Sequence, residues 1–542
     1  MDAGLFLLAV AVPLAFFPLS SAPFADAKLV LLTLGTLLLW VSEVPVDRRL
    51  ALPAGVWMAV VAAAALTGVD PRMSIIGAAD HGTGLIMLAA CGSLVVLGPN
   101  IPPDAVSRMR GWLVGAGLVV AAVAVGFRVA PDAFDRVVAG LSFRGSTAGN
   151  PVFAAAFLAA CIPAALGSKG GIRRMVPVVA VLAVGFAANG QRSSLVLPFV
   201  ALAACLWPMR AGRARILVAG ATLAVVVSGW ILLVAPFLPS ASHEVVATAR
   251  QFDTLTGERQ RLAVYTADLR GFTRRPVLGW GPTNTWSAFL SSATPEEIET
   301  AGRGWAEAHN ILLESLVTTG LAGTAAFVWL VLRIAPRMAR PPWGAGWVAG
   351  GVLTMAVFHL YEPLSLTVTP LMFLLAGVSA RVQEPAAARE PAATPERALV
   401  PGKAGRASAF GRVGVGAALA AMLLVSCLAL GSSALEQWGR THYGEWSLRA
   451  SLRLQPWRLS ATELLSRNLA VDGYLGDEAA AAEARTVIGA AVRQHPWNPH
   501  VRLSALDVEL LLRNLPGAQG WVRRHLERFP SDPVTIPTSL PA

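Results

Sequence analysis

The chemistry this sequence could perform rests on a few polar residues set at the ends of long apolar stretches. His309, followed by Asn310, closes a long polar segment just before an apolar run that begins at Ile311. Histidine titrates near neutrality and can take a proton from a hydroxyl; a histidine at such a boundary can equally be a satisfied interfacial residue. Arg144 stands in Phe143–Arg–Gly–Ser–Thr–Ala–Gly149–Asn150–Pro151, immediately ahead of another apolar run. Arg192 stands in Asn189–Gly–Gln–Arg–Ser–Ser194, a very short turn between two more. Arg261 and Tyr265 open an amphipathic stretch in which Leu262, Tyr265, Leu269 and Phe272 recur at helical spacing. That stretch ends in Arg274–Arg–Pro–Val–Leu–Gly279–Trp–Gly281–Pro282, a strong turn signal. The planar guanidinium grips phosphate oxygens through paired, charge-assisted hydrogen bonds. At a membrane surface an arginine either serves an anionic ligand in this way or anchors to lipid phosphate.

The elements that must hold these residues are membrane helices. The chain is 55% hydrophobic and only 14% charged, whereas a soluble domain carries about a quarter charged residues. A span needs about 20 apolar residues. Roughly thirteen segments qualify as candidates, near 4–20, 27–43, 50–67, 83–98, 112–127, 152–167, 175–188, 194–209, 215–238, 310–332, 345–360, 364–380 and 412–431. The first is read as a retained span and not as a cleaved leader. The expected fold is therefore all-α: a polytopic bundle of about 12–13 spans with a large external loop and a C-terminal helical-repeat region. Cys91, Cys161, Cys205 and Cys427 all fall inside apolar segments and read as buried small residues. No HExxH, paired CxxC, P-loop or GxSxG occurs, so neither metal nor cofactor is called for. The excess of 44 Lys+Arg over 33 Asp+Glu is scattered between spans, which argues against nucleic acid as a partner.

Short loops rich in Lys and Arg face the cytoplasm. If the polar segment 239–308 lies outside, the arginine-rich turns at 48–49, 108–110, 169–174, 210–215 and 333–340 fall inside. The organisation that follows is a membrane domain over 1–380 with the external loop 239–308, and a flexible cytoplasmic linker over 381–411, rich in Ala, Pro, Arg and Glu. A further span over 412–431 carries the chain outward to an external region, 432–542. There Leu454–Gln–Pro–Trp457 is echoed by Gln494–His–Pro–Trp497 and then by Arg528–Phe–Pro530. The later spacing is the 34-residue tetratricopeptide period; a small irregular helical domain is the plainer reading.

Taken in order, these segments resemble the O-antigen ligase superfamily, which comprises O-antigen ligases, O-antigen polymerases and bacterial protein O-oligosaccharyltransferases. Arg144 with Gly149–Asn150–Pro151, the Gln191–Arg192–Ser193 turn, Arg261 and Tyr265 with Pro276–Val–Leu–Gly279–Trp–Gly281, and His309–Asn310 with Glu314 and Gly320–Leu–Ala–Gly323 each match a family segment. Val152 and Gln191 depart from the family pattern. The resemblance spans about 140–330 and implies a multi-pass protein of the bacterial inner membrane whose site and C-terminal region face the periplasm. It implies a metal-independent, inverting transfer of a glycan from undecaprenyl diphosphate to an acceptor hydroxyl. On that reading Arg144, Arg192, Arg261 and Asn310 bind substrate, the arginines on the diphosphate. His309 is the base, or alternatively a hydrogen-bond partner of the diphosphate. The acceptor is lipid A core for a ligase, a growing chain for a polymerase, or a protein hydroxyl; the C-terminal repeats could hold a protein partner. A polysaccharide flippase or transporter is the reading from another class. It calls for polar residues in mid-span and two related halves, and neither is present in the sequence.

Overall fold

The structure, a computed structural model, describes residues 1–42, 44–78, 81–137, 143–167, 171–189, 196–206, 213–229, 254–302, 307–338, 346–381 and 404–534. Among these residues every regular element is a helix. Each apolar segment expected to span contains a helix among its described residues, from Asp2–Leu14 to Ala404–His442. Among the described residues five helices are long and apolar enough to cross a membrane: Arg48–Thr67, Pro103–Val129, Ile172–Asn189, Ile311–Met338 and Gly411–His442. Leu52, Leu66, Phe199, Leu217, Val225, Leu332 and Leu424 stand exposed around the bundle, as lipid-facing side chains do. Polar caps start several helices: Asp47 accepts from the Arg49 amide at 2.7 Å and Asn150 from Val152 at 3.0 Å.

The centre of the bundle is Pro151–Leu166, an alanine-rich helix buried along nearly its whole length. Small residues let Pro103–Val129, Ile172–Asn189, Val196–Leu206 and Gly346–Phe358 pack directly against it. The long helix Ala404–His442 behaves differently, packing chiefly along Asp26–Val41. Cys91, Cys161 and Cys205 are buried as expected, but Cys427 is exposed. The correction has a simple cause: a helix that meets its bundle on one side leaves the opposite side to lipid. This helix also starts earlier and ends later than the 412–431 span read from hydropathy. The proline- and alanine-rich linker residues 382–403 lie outside the described residues.

Over its described residues, the polar segment 239–308, expected to form the external loop, folds as the helices Thr254–Arg274, Thr285–Ser292 and Pro295–Ala301. The stripe expected to be the buried face of the first is only partly so, since Leu262 and Leu269 are exposed. Its buried side is instead Ala263, Val264, Ala267 and Asp268, which meets the helix holding Phe289 and Leu290 and the one holding Ile298. Small residues were needed there for close approach, which a hydropathy stripe does not register.

The apolar run from Ile311 is not one continuous helix. It breaks at Gly320, which adopts φ 66° and ψ −167°. Into the break fits the glycine turn of the external loop. The amides of Trp280 and Gly281 donate to the carbonyls of Val317 and Thr318 at 2.9 and 2.8 Å, and those of Leu321 and Ala322 donate to Pro276 and Val277 at 2.8 and 3.2 Å. Backbone groups released by the break are thus taken up by the turn. A Cβ on Gly320 would lie 2.2 Å from the Val277 carbonyl oxygen, and one on Gly279 would lie 2.5 Å from Thr318. Trp280, 2% exposed, fills the joint and donates its indole N–H to Gly271.

The C-terminal helices Glu445–Leu454, Leu459–Tyr474, Glu478–Gln494, Pro499–Leu511 and Leu515–Leu526 pack in succession. They dock on the same end of the molecule as the external loop. Trp497 meets Trp280 edge to face at 5.5 Å, its carbonyl accepts from Ser287 at 2.7 Å, and buried His495 is hydrogen-bonded to Asp70. Arg458, buried, donates to Glu436, Ser21 and Ser433, joining the C-terminal region to the long helix and to the loop at 20–26.

Candidate active site

The external loop helix, the break before the last spans, and the joint between those spans converge on one point. Along Thr254–Arg274, Arg261 and Tyr265 are four residues apart and therefore share a face. Arg261 Nη2 donates to Glu362 Oε1 at 3.2 Å, and His309 Nδ1 lies 3.7 Å from Glu362 Oε2. One carboxylate thus stands between the arginine and the histidine. Glu362 comes from the short joint after Gly346–Phe358 and is 4% exposed, whereas Arg261 keeps about a third of its side chain accessible. The guanidinium therefore still presents N–H groups outward.

His309 is held rigidly. Its φ is +51°, the left-handed region that a non-glycine residue occupies only when its surroundings impose it. Those surroundings are explicit. Glu314 reaches back to the Ala308 amide at 2.8 Å while accepting from Thr285 at 2.7 Å. The Tyr265 hydroxyl donates to the His309 carbonyl at 3.4 Å. Asn310 accepts from the amides of Leu312 and Leu313 at 3.0 and 3.1 Å and donates to the Leu360 carbonyl at 2.8 Å. Asn310 accordingly caps one helix and ties it to the strand of chain leading to Glu362. Its polar atoms are engaged within the protein, which makes its position structural.

Burial, and then the nearby charges of Arg261 and His81, hold the His309 imidazole down to about 4. At neutral pH the ring is uncharged and able to accept a proton. Two acids lie behind it. Asp268 is fully buried, and burial, then the nearby charge of Glu314, raises its carboxyl well above the usual range. Burial likewise raises Glu307, which accepts from Thr83 at 3.0 Å.

The segment around Arg144 is built into the same end of the bundle. Residues Phe143–Ala148 form a tight 3₁₀ turn, Ser146 donates to the Val120 carbonyl at 2.9 Å, and Thr147 donates to Pro13 at 3.0 Å. Gly149 has φ +82°, and a Cβ there would lie 2.6 Å from Phe24. Buried Lys28 locks this segment to the first helix, its ammonium donating to the carbonyls of Val12, Pro13 and Thr147 at 2.9, 3.1 and 2.9 Å. All three of its N–H groups are used, so Lys28 is a brace. Beside it a cavity of about 270 Å³ is lined by His81, Asn150, Ser365 and Thr367. The side chain of Arg144 and the whole Arg192 turn lie outside the described residues.

Of the residues singled out in the sequence, Arg261, Tyr265, His309 and Asn310 come together here. Residues 177–328 match the family model described as O-Antigen ligase. The chain carries an O-antigen ligase segment. The matched stretch includes Arg192, Arg261, His309 and Asn310, while Arg144 and Glu362 lie beyond its ends. No curated protein matches the chain. This match, with the run of apolar helices, supports a multi-pass membrane protein with a glycosyltransferase-like domain of the ligase and polymerase type. Glu362, His81 and Lys28 were not anticipated as site residues. A signal for the first was present: His359 and Glu362 interrupt an apolar stretch that is otherwise uncharged from 346 to 380.

Proposed function

We propose that the protein is an O-antigen ligase. It transfers a glycan from undecaprenyl diphosphate to a hydroxyl of lipid A core at the periplasmic face of the inner membrane. The observation that carries this reading is the meeting of Arg261 and His309 at Glu362, at the outer boundary of the last spans. Arg261, together with Arg144 and Arg192, engages the diphosphate and disperses the charge that builds on it as it leaves. Glu362 orients Arg261 and stands ready to balance the imidazolium. The acceptor oxygen attacks the anomeric carbon opposite the diphosphate, the bond from that carbon to the diphosphate oxygen breaks, and configuration inverts. The acceptor proton passes to His309, and the electron pair of the broken bond leaves on the diphosphate. Asn310 and Tyr265 fix the left-handed turn that presents the imidazole. The tetratricopeptide-like C-terminal helices lie on the periplasmic side with the external loop.

The test is transfer in vitro with purified protein, lipid-linked donor and lipid A core. His309→Ala should lower turnover by about 10²–10⁴-fold, the usual worth of a positioned acid–base group, while the protein still inserts and binds donor. Near-normal turnover would end the reading of His309 as the base. In a deletion strain, free core with accumulated lipid-linked polymer supports the ligase; core capped with a single repeat would mark a polymerase instead.

A further inference from the structure

We propose that the cleft between the C-terminal helices and the outer end of the bundle is an oligosaccharide site that feeds the transfer centre. This rests on the glycan-transferase reading. The cleft is a second cavity, of about 310 Å³, lined from one side by Trp457, Glu463, His495 and Asn498 and from the other by Arg72, His81 and Trp286. Concave sites of this size, at the junction of two units, with aromatic walls and a few polar groups, are the usual form of a small-ligand pocket.

Three of its walls carry an unmet demand. Trp286 Nε1, Trp457 Nε1 and His495 Nε2 are buried nitrogens without a hydrogen-bond partner among the described residues, and His495 is only 1% exposed. A buried polar atom left unpaired costs about 1–3 kcal/mol, so three around one cavity point to something that enters it and pairs with them.

The chemistry of that occupant is narrowed by the charges. Arg458, the buried cation of the cleft, has its guanidinium committed to Glu436, Gln455, Ser21 and Ser433. It is not available to an anion. Apart from Arg72, which is exposed at the rim, what remains is indole rings and amide, imidazole and carboxyl groups, a set that offers flat apolar faces beside hydrogen-bond donors and acceptors. A sugar ring, with apolar C–H faces and hydroxyls on its rim, matches both. His81 lines this cleft and also the cavity beside Asn150, and its charge bears on His309. A chain lying in the cleft therefore has its end directed toward the transfer centre.

The experiment uses the purified full-length protein and two lipid-free probes released by mild acid from the source lipopolysaccharide: core oligosaccharide and repeat-unit oligosaccharide. Binding is followed by saturation-transfer NMR and by oxidative footprinting of the tryptophans. The wild type and His309→Ala should bind one probe, with Trp286 and Trp457 protected. Binding of core marks the cleft as the acceptor site, and binding of the repeat unit marks it as the site of the donor glycan. The pair Trp286→Phe and Trp457→Phe keeps both rings and removes both N–H groups. It should weaken binding at least about fivefold, on a net worth near 1 kcal/mol per hydrogen bond. No binding or protection in a wild-type protein that does transfer glycan overturns the cleft and leaves the transferase standing. Binding without any transfer overturns the transferase and leaves the cleft. Footprinting on the wild type decides the matter even if the double variant fails to fold.

Discussion

His309 sits at a left-handed backbone position with a ring that resists protonation, and both properties trace to named neighbours. In the free protein its imidazole is neutral above about pH 4, because burial and the charges of Arg261 and His81 oppose the proton. A base must be unprotonated to work, so the acid limb of kcat/KM, which reports the free enzyme, should fall well below the ordinary histidine value of about 6.5. Removing the Arg261 charge removes one of the opposing causes. The Arg261→Gln limb should therefore move upward in pH, measured on the residual activity. A downward shift would mean that Arg261 does not bear on the histidine. Glu362→Gln keeps shape and loses the charge that pairs Arg261. The activity should drop about tenfold or more, a charge-assisted hydrogen bond being worth about 1.5–3 kcal/mol, and wild-type rates would detach Glu362 from the mechanism. Arg261 and His309 could be found from sequence because each sits at a recognisable boundary. Glu362 comes from a joint about fifty residues further along, and nothing local announces that it will be folded back between them.

Among elements, the glycine turn and the broken helix explain one another. Gly279 and Gly320 were visible as short motifs, yet their purpose is apparent only when Pro276–Gly281 is laid into the gap at Gly320. Gly320→Ala should undo the docking, since the new methyl would strike the Val277 carbonyl and the residue would be forced into a region costing about 1–3 kcal/mol for an L side chain. Transfer should fall by at least about tenfold, because a change of 1.4 kcal/mol is already tenfold and His309 lies in the same displaced segment. Limited proteolysis of the external loop gives the independent readout: faster cleavage than in wild type is expected, and an unchanged pattern would show that the turn does not need the break. The partly exposed Leu262 and Leu269 carry a related lesson. Periodicity identified the helix correctly, but alanines, a valine and a buried aspartic acid, not the largest apolar residues, form its packed side.

At the scale of the molecule, the apolar segments were legible because lipid demands long helical runs, a requirement that leaves its mark on composition. The docking of the C-terminal helices was not, since it depends on single contacts such as His495 with Asp70 and Arg458 with Glu436. Both elements meet at one end, so both must lie on one side of the membrane. In a Cys427→Ser background, Glu296→Cys and Glu478→Cys should react with a membrane-impermeant thiol reagent in intact spheroplasts. Labelling of either only after lysis would reverse the proposed orientation. Breaking the buried Arg458–Glu436 pair by Arg458→Ala should cost about 3–5 kcal/mol, visible as early release of the C-terminal region in thermal or protease melts; a melt like that of wild type would show the pair to be dispensable.

The joint at Gly320 also bears on the order in which the protein is made. The partner of the break, residues 276–281, is synthesised before it and, in the proposed orientation, must already be across the membrane for the two to meet. Until that meeting, nothing prevents Ile311–Met338 from entering the bilayer as a single uninterrupted 28-residue rod, about 42 Å long at 1.5 Å per residue and too long for a 30 Å hydrocarbon layer. In the finished fold the break divides that rod, and the loop is laid into the gap. The left-handed turn at His309, whose carbonyl accepts from Tyr265 of the loop helix, likewise needs that loop in place.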